Sequence, residues 1–485
     1  MNGKRRFHFR KPQLRLYDTT GLTRDVQYSL NTAIVAVMFS MVYSVITVGP
    51  TWTGFQRMLG ADAFTLGALS AIPVTASALQ IFASYLLERW RARRAFFLTF
   101  GIMNRACWLL IALIPVVIPG DKQSLRLTVL MVLLAVSAIG ASFLNVSFYS
   151  LMGDIVPLRI RGRYFSARQA VSLVAGIIAG LSVSLIMDRS EGFTGYVIAL
   201  SLASLFGIAD ICFFFKVKWP PMEKAKEPTK SLPGMIKNVF RDRGYMRIVS
   251  YFTLWFFSFN ISAPFINVYF LEHVRMTFME ITVFNQIISN LATVLIIGWW
   301  GRQMDRFGNQ PIVQTAGLFC MLQVVTYLFT GPRSFAILPF VHVLSGMAWP
   351  ASDLGQQNMY LAKAPDQNRS MYVAVFFAST QLFGTALSNF AGGVLMNGPL
   401  IALERLRLRL FGFTMLRYHY IFIISSVLRI ICVLGLLPHL RQETDTPARE
   451  MWKTIAKETY GRAQYVRKMM RVKRIRNKYR KENDS

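Results

Sequence analysis

The residues best suited to chemistry in this sequence are charged groups set between apolar runs. The stretch "GDIVPLRIRGRYFSARQ" (153–169) carries Asp154, Arg161 and Arg168. "AKAPDQNRSMYVA" (362–374) repeats its Pro-x-x-x-Arg core, with Pro157 to Arg161 answered 208 residues later by Pro365 to Arg369. A second pair of loops places an acid before an arginine: Glu88-Arg89 in "SYLLERWRARR" (84–94) and Asp305-Arg306 in "GRQMDRFGNQP" (301–311). Ion pairs at such exposed edges are worth roughly 0–1 kcal/mol each. That weakness suits contacts that form and break. Three further charges, Arg105, Asp210 and Arg429, lie inside apolar stretches, where a charge is expensive, roughly 2.5–3.5 kcal/mol on insertion scales.

Catalytic chemistry finds no support. GxxxxGK[ST], HExxH and GxSxG are all missing, and the five histidines are scattered. These patterns carry phosphate binding, zinc hydrolysis and acyl transfer, so no enzyme activity, catalytic residue or cofactor is expected. Cys107, Cys212, Cys320 and Cys432 each fall within an apolar run, without CxxC or ligand-like spacing. They read as small buried hydrophobes, with neither a disulfide nor a metal site.

The elements that must position these residues follow from composition. The chain has 485 residues, 53% hydrophobic and only 16% charged, against about a quarter charged in soluble domains. A bilayer core takes about 20 apolar helical residues, and backbone groups in lipid must pair internally, so such runs are helices. Twelve runs qualify: 28–49, 64–87, 95–118, 125–152, 168–187, 194–217, 248–271, 280–300, 311–330, 334–361, 370–396 and 417–438. The basic segment before the first run is too long and polar for a signal peptide, so that run reads as a retained span. The expected order is a basic N-terminal tail (1–27), a six-helix bundle (28–217), a polar linker (218–247), a second six-helix bundle (248–438) and a basic C-terminal tail (439–485). Twelve spans put both termini on one side. Most Lys and Arg lie on that side, which places the tails in the cytoplasm and the chain in the cell membrane. The net charge of +30 is then mostly topology, and no nucleic-acid partner is expected.

The repeated loops make two parallel six-helix halves, a plan found in one large class of transporters. Across about residues 25–440 the sequence resembles the major facilitator superfamily. Gly301, Asp305, Arg306 and Gly308 match the loop that follows its eighth helix. The first-half copy keeps Glu88 and Arg89, with Ser84 and Arg91 in place of glycines. The resemblance implies an all-α membrane protein, a monomer of twelve transmembrane helices in two pseudo-symmetric bundles, moving a small solute by alternating access with a proton or sodium ion as coupling candidates. It implies a cytoplasmic gate made of Glu88, Arg89, Asp154, Arg161, Arg168, Asp305, Arg306 and Arg369. In this gate Glu88 and Asp305 sit against helix N-termini of the opposite half, and Arg161, Arg168 and Arg369 pair with acids such as Asp154. It also implies a cavity lined by the first, fourth, seventh and tenth helices, which carry Asn31, Asn145, Tyr149, Asn260, Asn267, Trp349, Asp353 and Gln356. Amides and aromatics suit sugars, nucleosides or peptides, and Asp353 is the one acid available for coupling or cation contact.

Arg105 and Asp210 lie at similar depths and are expected to pair. In the resembled fold their helices stand outside the cavity, so a structural ion pair and a proton relay both fit. Arg429 has Gln323 as one candidate partner. Gly176, Gly180, Gly392 and Gly393 read as points of close helix approach. The loop 403–417 fits either an amphipathic segment on the outer leaflet or a docking edge. The C-terminal tail, with Trp452, Ile455, Ala456 and Tyr460 at helical spacing, fits a basic helix on anionic lipid or a solvated tail. A membrane scaffold or sensor acting through its basic tails is the alternative function.

Overall fold

The computed structural model describes residues 22–221, 232–333, 336–365, 369–410, 413–440, 446–458, 460 and 464. Among the described residues, ten helical segments are long and apolar enough to cross a membrane: Arg24–Val48, Ala63–Leu87, Arg93–Val117, Gln123–Ile155, Arg161–Arg189, Thr194–Lys216, Arg243–Val274, Phe278–Phe307, Met371–Arg405 and Arg417–Leu440. Two further helices, Gln310–Tyr327 and Leu338–Lys363, fill the ninth and tenth places. Gln310, Gln314 and Gln323 dilute the apolar character of one, and His342, Asp353 and Gln356 that of the other. Every expected span is therefore a helix. The largest shifts of boundary are at the fifth span, which begins at Arg161 rather than 168, at the eighth, which ends at Phe307 rather than 300, and at the eleventh, which runs on to Arg405 rather than ending at 396.

Local chemistry sets the helix starts. Asp62 accepts a hydrogen bond from the Thr65 N–H at 2.8 Å and opens the second span. Asp242 does the same for Tyr245 at 3.0 Å in the seventh. Thr277 and Glu280 form a reciprocal capping box at the start of the eighth, which satisfies two backbone donors that a helix start leaves free. Between the first two spans, Gly49 breaks the helix and Pro50 opens a short one, Pro50–Met58. Proline suits a first helical turn because its missing N–H is not needed there. In the second half four spans contain a π-helical turn: Tyr269–Val274, Val283–Ile288, Thr380–Ala386 and Ile431–Leu436.

The outward faces are apolar. Val117 is 72% exposed and Leu295 75%. Patches of this kind mark a membrane-facing surface rather than a water-facing one. Polar side chains inside the bundles are mostly paired. Arg105 of the third span meets Asp210 of the sixth at 3.3 Å, both buried, as expected from the sequence. The guanidinium also lies 3.5 Å from the centre of the Tyr43 ring in the first span. Gly207 makes room for it, since a Cβ there would fall 2.6 Å from Arg105 Cδ.

The spans alternate in direction and give the molecule two ends. The end that holds the connectors after even-numbered spans, the start of the first span and the end of the twelfth is the terminal end; the other is the distal end. The connecting residues 153–160 and 362–365 both lie at the terminal end. There the tail segment 446–458 folds back onto the second half. Met451 is buried in its core, Trp452 donates to Thr315 Oγ1 at 3.0 Å, and Glu458 pairs with Arg306 at 2.6 Å. The docked face holds Met451 and Ile455, while Tyr460 stays exposed. Residues 1–21, 441–445, 459, 461–463 and 465–485 of the tails lie outside the described residues. The loop 403–417 continues the eleventh span as the helix Pro399–Arg405 and then forms a two-residue hairpin, Arg409–Leu410 against Phe413–Thr414. Cys107, Cys320 and Cys432 are buried, but Cys212 is exposed, contrary to the expectation for all four.

Candidate functional site

The two halves are joined at the distal end. Arg57, on the short helix after the first span, pairs with Glu272 of the seventh at 2.5 Å and also donates to the Ala61 carbonyl at 2.6 Å. Burial opposes the Arg57 charge, but the hydrogen bond and the negative charge of Glu272 outweigh it and hold its pKa above the ordinary value. Asp188, at the end of the fifth span, accepts hydrogen bonds from the backbone N–H of Phe278 at 2.8 Å and of Met279 at 3.0 Å. A carboxylate from one half thus caps a helix of the other, where free N–H groups and the helix dipole favour negative charge. One turn earlier, Ser184 meets Thr282 at 2.6 Å.

The second and eleventh spans close the other side of this end. Asn397 donates to Asp62 at 2.7 Å and Asn389 to the Ser70 carbonyl at 3.3 Å. Burial would raise the Asp62 pKa, but the hydrogen bonds from Thr65 and Asn397 outweigh it and hold it below the usual carboxylate value. The backbones come close: a Cβ on Gly67 would lie 2.4 Å from the Asn389 carbonyl oxygen, and one on Gly393 3.0 Å from that of Ala63. Gly392 is as tightly confined, with a Cβ there 2.2 Å from the Ile261 carbonyl oxygen, and Gly180 less so, with a Cβ 2.8 Å from the end of the Gln286 side chain. Gly176 is not, with only Met41 nearby at 3.9 Å. Farther along the second span toward the terminal end, Ile81, Phe82 and Tyr85 are exposed. The hydrogen bonds and ion pair described above that join the halves all lie at the distal end.

The polar residues expected in the cavity divide into two groups. Asn31, Asn145, Tyr149 and Asp353 are exposed, with Asn145 and Tyr149 one turn apart and Tyr149 70% open. Trp349 is half-buried, edge-on to Phe259 at 4.5 Å, and Gln356 is buried. Asn260 serves a contact between helices, donating to the Phe256 carbonyl at 2.8 Å and to Thr385 at 3.4 Å. Asn267 is half-buried in the distal part of the seventh span.

The expected gate is rearranged. Asp154 pairs with Arg93 rather than with Arg161 or Arg168. Arg93 is buried and also holds Ser150 and the Pro220 carbonyl, so it fixes the third span to the start of the linker. Arg161 turns back on its own loop, to the carbonyls of Gly153 and Val156, and Arg168 stacks over Phe148 at 5.0 Å. Arg89 donates to Tyr85 at 3.2 Å. Asp305 is exposed, and Arg306 is taken by Glu458. The side chains of Glu88 and Arg369 lie outside those described. Arg429 does not reach Gln323, which donates to Tyr327 instead. It donates to the Cys320 carbonyl and lies 4.7 Å from the Phe259 ring, while its Nε and Nη2 have no hydrogen-bond partner among the described residues.

Sequence reasoning missed the distal contacts made by Arg57, Asp62, Asp188, Glu272 and Asn397. The available signal was their position, since charged side chains at span ends on the charge-poor side need a reason to be there. Among the described residues, no group of three or more His, Cys, Asp or Glu is arranged to hold a metal.

This arrangement, two six-helix sets joined at one end around polar faces, is that of a multi-pass membrane transporter. The Major Facilitator Superfamily model matches residues 32–389, and the chain belongs to that family of transporters, which are not enzymes. No curated protein matches it by sequence. Among solved structures, it is similar to a mutant form of the nucleoside transporter NupG at 13% identity and TM-score 0.65, covering 86% of this chain and 100% of that one. A bacterial homolog of the human lysosomal transporter Spinster, inward-facing and occupied, gives 12% and 0.64 over 87% and 97%. A D-xylose-proton symporter gives 12% and 0.62 over 87% and 99%. At these identities the likeness concerns the fold.

Proposed function

We propose that this protein is a secondary active transporter that moves a small polar solute across the cytoplasmic membrane by alternating access, with both termini in the cytoplasm. The observation that carries this reading is the closure of the distal end by contacts that cross between halves, while polar side chains of the first, fourth and tenth spans stay exposed. The bundles 28–217 and 248–438 are the two moving bodies, and the distal contacts are the outer gate. Single ion pairs and hydrogen bonds at a partly solvated edge are weak enough to break in each cycle. The excess of Lys and Arg at the terminal end supports its placement on the cytoplasmic side.

The solute is met by amides and aromatics, Asn31, Asn145, Tyr149 and Trp349, which suit a hydrogen-bonding molecule with a flat or ring face. Structurally similar chains include a nucleoside transporter and a D-xylose-proton symporter, which agrees with a solute of that size and polarity. Asp353 is the acid for coupling to a proton or sodium ion.

Uptake by proteoliposomes, screened over nucleosides, sugars and short peptides with and without a proton or sodium gradient, tests the proposal. Asp353→Asn is expected to lower gradient-driven uptake at least about 100-fold, the range expected when a proton-transfer group is lost, while exchange of solute without a gradient persists. Gradient-driven uptake at the parent rate removes Asp353 from the mechanism. A protein that moves none of the panel under any gradient, with the fold intact, contradicts the transport reading.

A further inference from the structure

The turn after the second span of each half exists in two copies, and they differ at one telling position. In the second half, Asp305-Arg306-Phe307 ends at Gly308, with φ +88°. In the first half, Glu88-Arg89-Trp90 ends at Arg91, with φ +52°. Both residues end their helices by donating back to a carbonyl, Arg91 to Leu87 at 2.8 Å and Gly308 to Met304 at 2.9 Å. Positive φ suits glycine because a Cβ crowds the following carbonyl. Three other arginines, Arg275, Arg333 and Arg407, also have positive φ, in distal turns. At Arg91, however, the other copy of the repeat shows the unstrained solution, and the first half carries a guanidinium in its place.

That side chain lines a cavity of about 610 Å³, walled by Arg91, Arg94, Leu98, Trp219 and Pro220. The floor is rigid. Arg93 is buried, and its charge is met by Asp154, with Ser150 and the Pro220 carbonyl as further partners. Arg91 and Arg94 are not so met. Arg94 donates to the Phe215 carbonyl at 3.3 Å, and neither forms an ion pair with an acid among the described residues. Two exposed guanidinium groups therefore line one cavity.

The cavity lies at the terminal ends of the third and sixth spans. Leu205 and Phe215 of the sixth are exposed, and Trp90 beside Arg91 is 61% exposed. Exposed apolar side chains on a spanning helix face lipid, and tryptophan favours the headgroup level. Guanidinium groups bind phosphate oxygens in bidentate fashion. We infer that this cavity holds the phosphate of an anionic phospholipid, gripped by Arg91 and Arg94, with its acyl chains along the sixth span.

The test uses the full chain purified in neutral detergent and titrated with phosphatidylglycerol or phosphatidylcholine in mixed micelles. Bound lipid is counted by native mass spectrometry, and the unfolding midpoint is followed in parallel. Phosphatidylglycerol is expected to stay bound and raise the midpoint, and phosphatidylcholine to do neither. Arg91→Gly is expected to unfold at or above the parent midpoint without lipid, because the turn relaxes, yet to bind phosphatidylglycerol about tenfold more weakly or worse, as loss of a charge-assisted pair implies. Arg163→Gln, at an exposed arginine in the first turn of the fifth span, is expected to bind it as the parent does. Parent-like binding by Arg91→Gly overturns the site, and equal loss in Arg163→Gln reduces it to diffuse charge. Protection by inorganic phosphate alone, to the same extent, overturns the lipid as its source.

Discussion

Replacing Arg105 by methionine is expected to destabilise the protein by about 3–5 kcal/mol, the usual result of leaving one member of a buried pair alone. The same replacement at Arg429 is expected to be neutral or stabilising. Both are buried arginines stacked on a ring from the first helix of their half, Tyr43 for one and Phe259 for the other. They differ in compensation. Arg105 has Asp210 at 3.3 Å, so its removal leaves a buried carboxylate without its paired cation, with only the Ser40 side chain still hydrogen-bonded to it. Arg429 has only the Cys320 carbonyl and two unpartnered nitrogens, so its removal strands no charge. The double replacement Arg105→Met with Asp210→Leu is expected to return close to the parent, because an apolar pair of similar volume often matches a buried ion pair. Unfolding midpoints of the four variants in detergent decide the matter. Additive damage from Arg105→Met and Asp210→Leu would show that the pair is not one energetic unit.

Gly67→Leu is expected to remove the distal-closed state. A Cβ there would lie 2.4 Å from the Asn389 carbonyl oxygen and 3.0 Å from the Gly393 Cα. Both obstacles are backbone, and both belong to the opposite half, so no rotamer relieves the clash. Overpacking a tight site costs about 1–3 kcal/mol, which is roughly a ten- to hundredfold shift in a two-state equilibrium. The clash exists only while the second and eleventh spans touch, so the cost falls on one state and the fold survives. Net uptake should fall by the same order while the unfolding midpoint changes little. A large fall in the midpoint instead would mean that the contact holds the fold rather than a gate.

Much of this architecture is legible in the sequence because its causes are local. A run long enough to cross lipid must be helical, and repeated loops after corresponding spans expose the two-fold plan. The Arg105–Asp210 pair is legible because charge at membrane depth demands a partner. The ninth and tenth spans are found by sequence although their glutamines and Asp353 leave them less apolar than the rest. What sequence could not provide is partner choice among several charges of one sign. Arg93, Arg161 and Arg168 all precede or follow Asp154, and only the packing of the third span against the linker selects Arg93. The distal gate was hidden for the same reason: Arg57 and Glu272 are more than 200 residues apart, and neither sits in a repeated motif. The candidate cavity was only partly legible, because Asn260 carries the same amide whether it faces solute or ties the seventh span to the eleventh.

The most direct test of the central claim, that the two bundles rock about a shared passage, is a pair of spin-label distances in a variant whose four cysteines are replaced. Labels at Lys122 and Arg405 report the distal end, and labels at Arg163 and Lys363 the terminal end. Each pair is compared with and without Gly67→Leu, using electron–electron double resonance in nanodiscs. The account predicts that Gly67→Leu lengthens the distal distance and shortens the terminal one. A distal end that widens while the terminal distance stays fixed would contradict it.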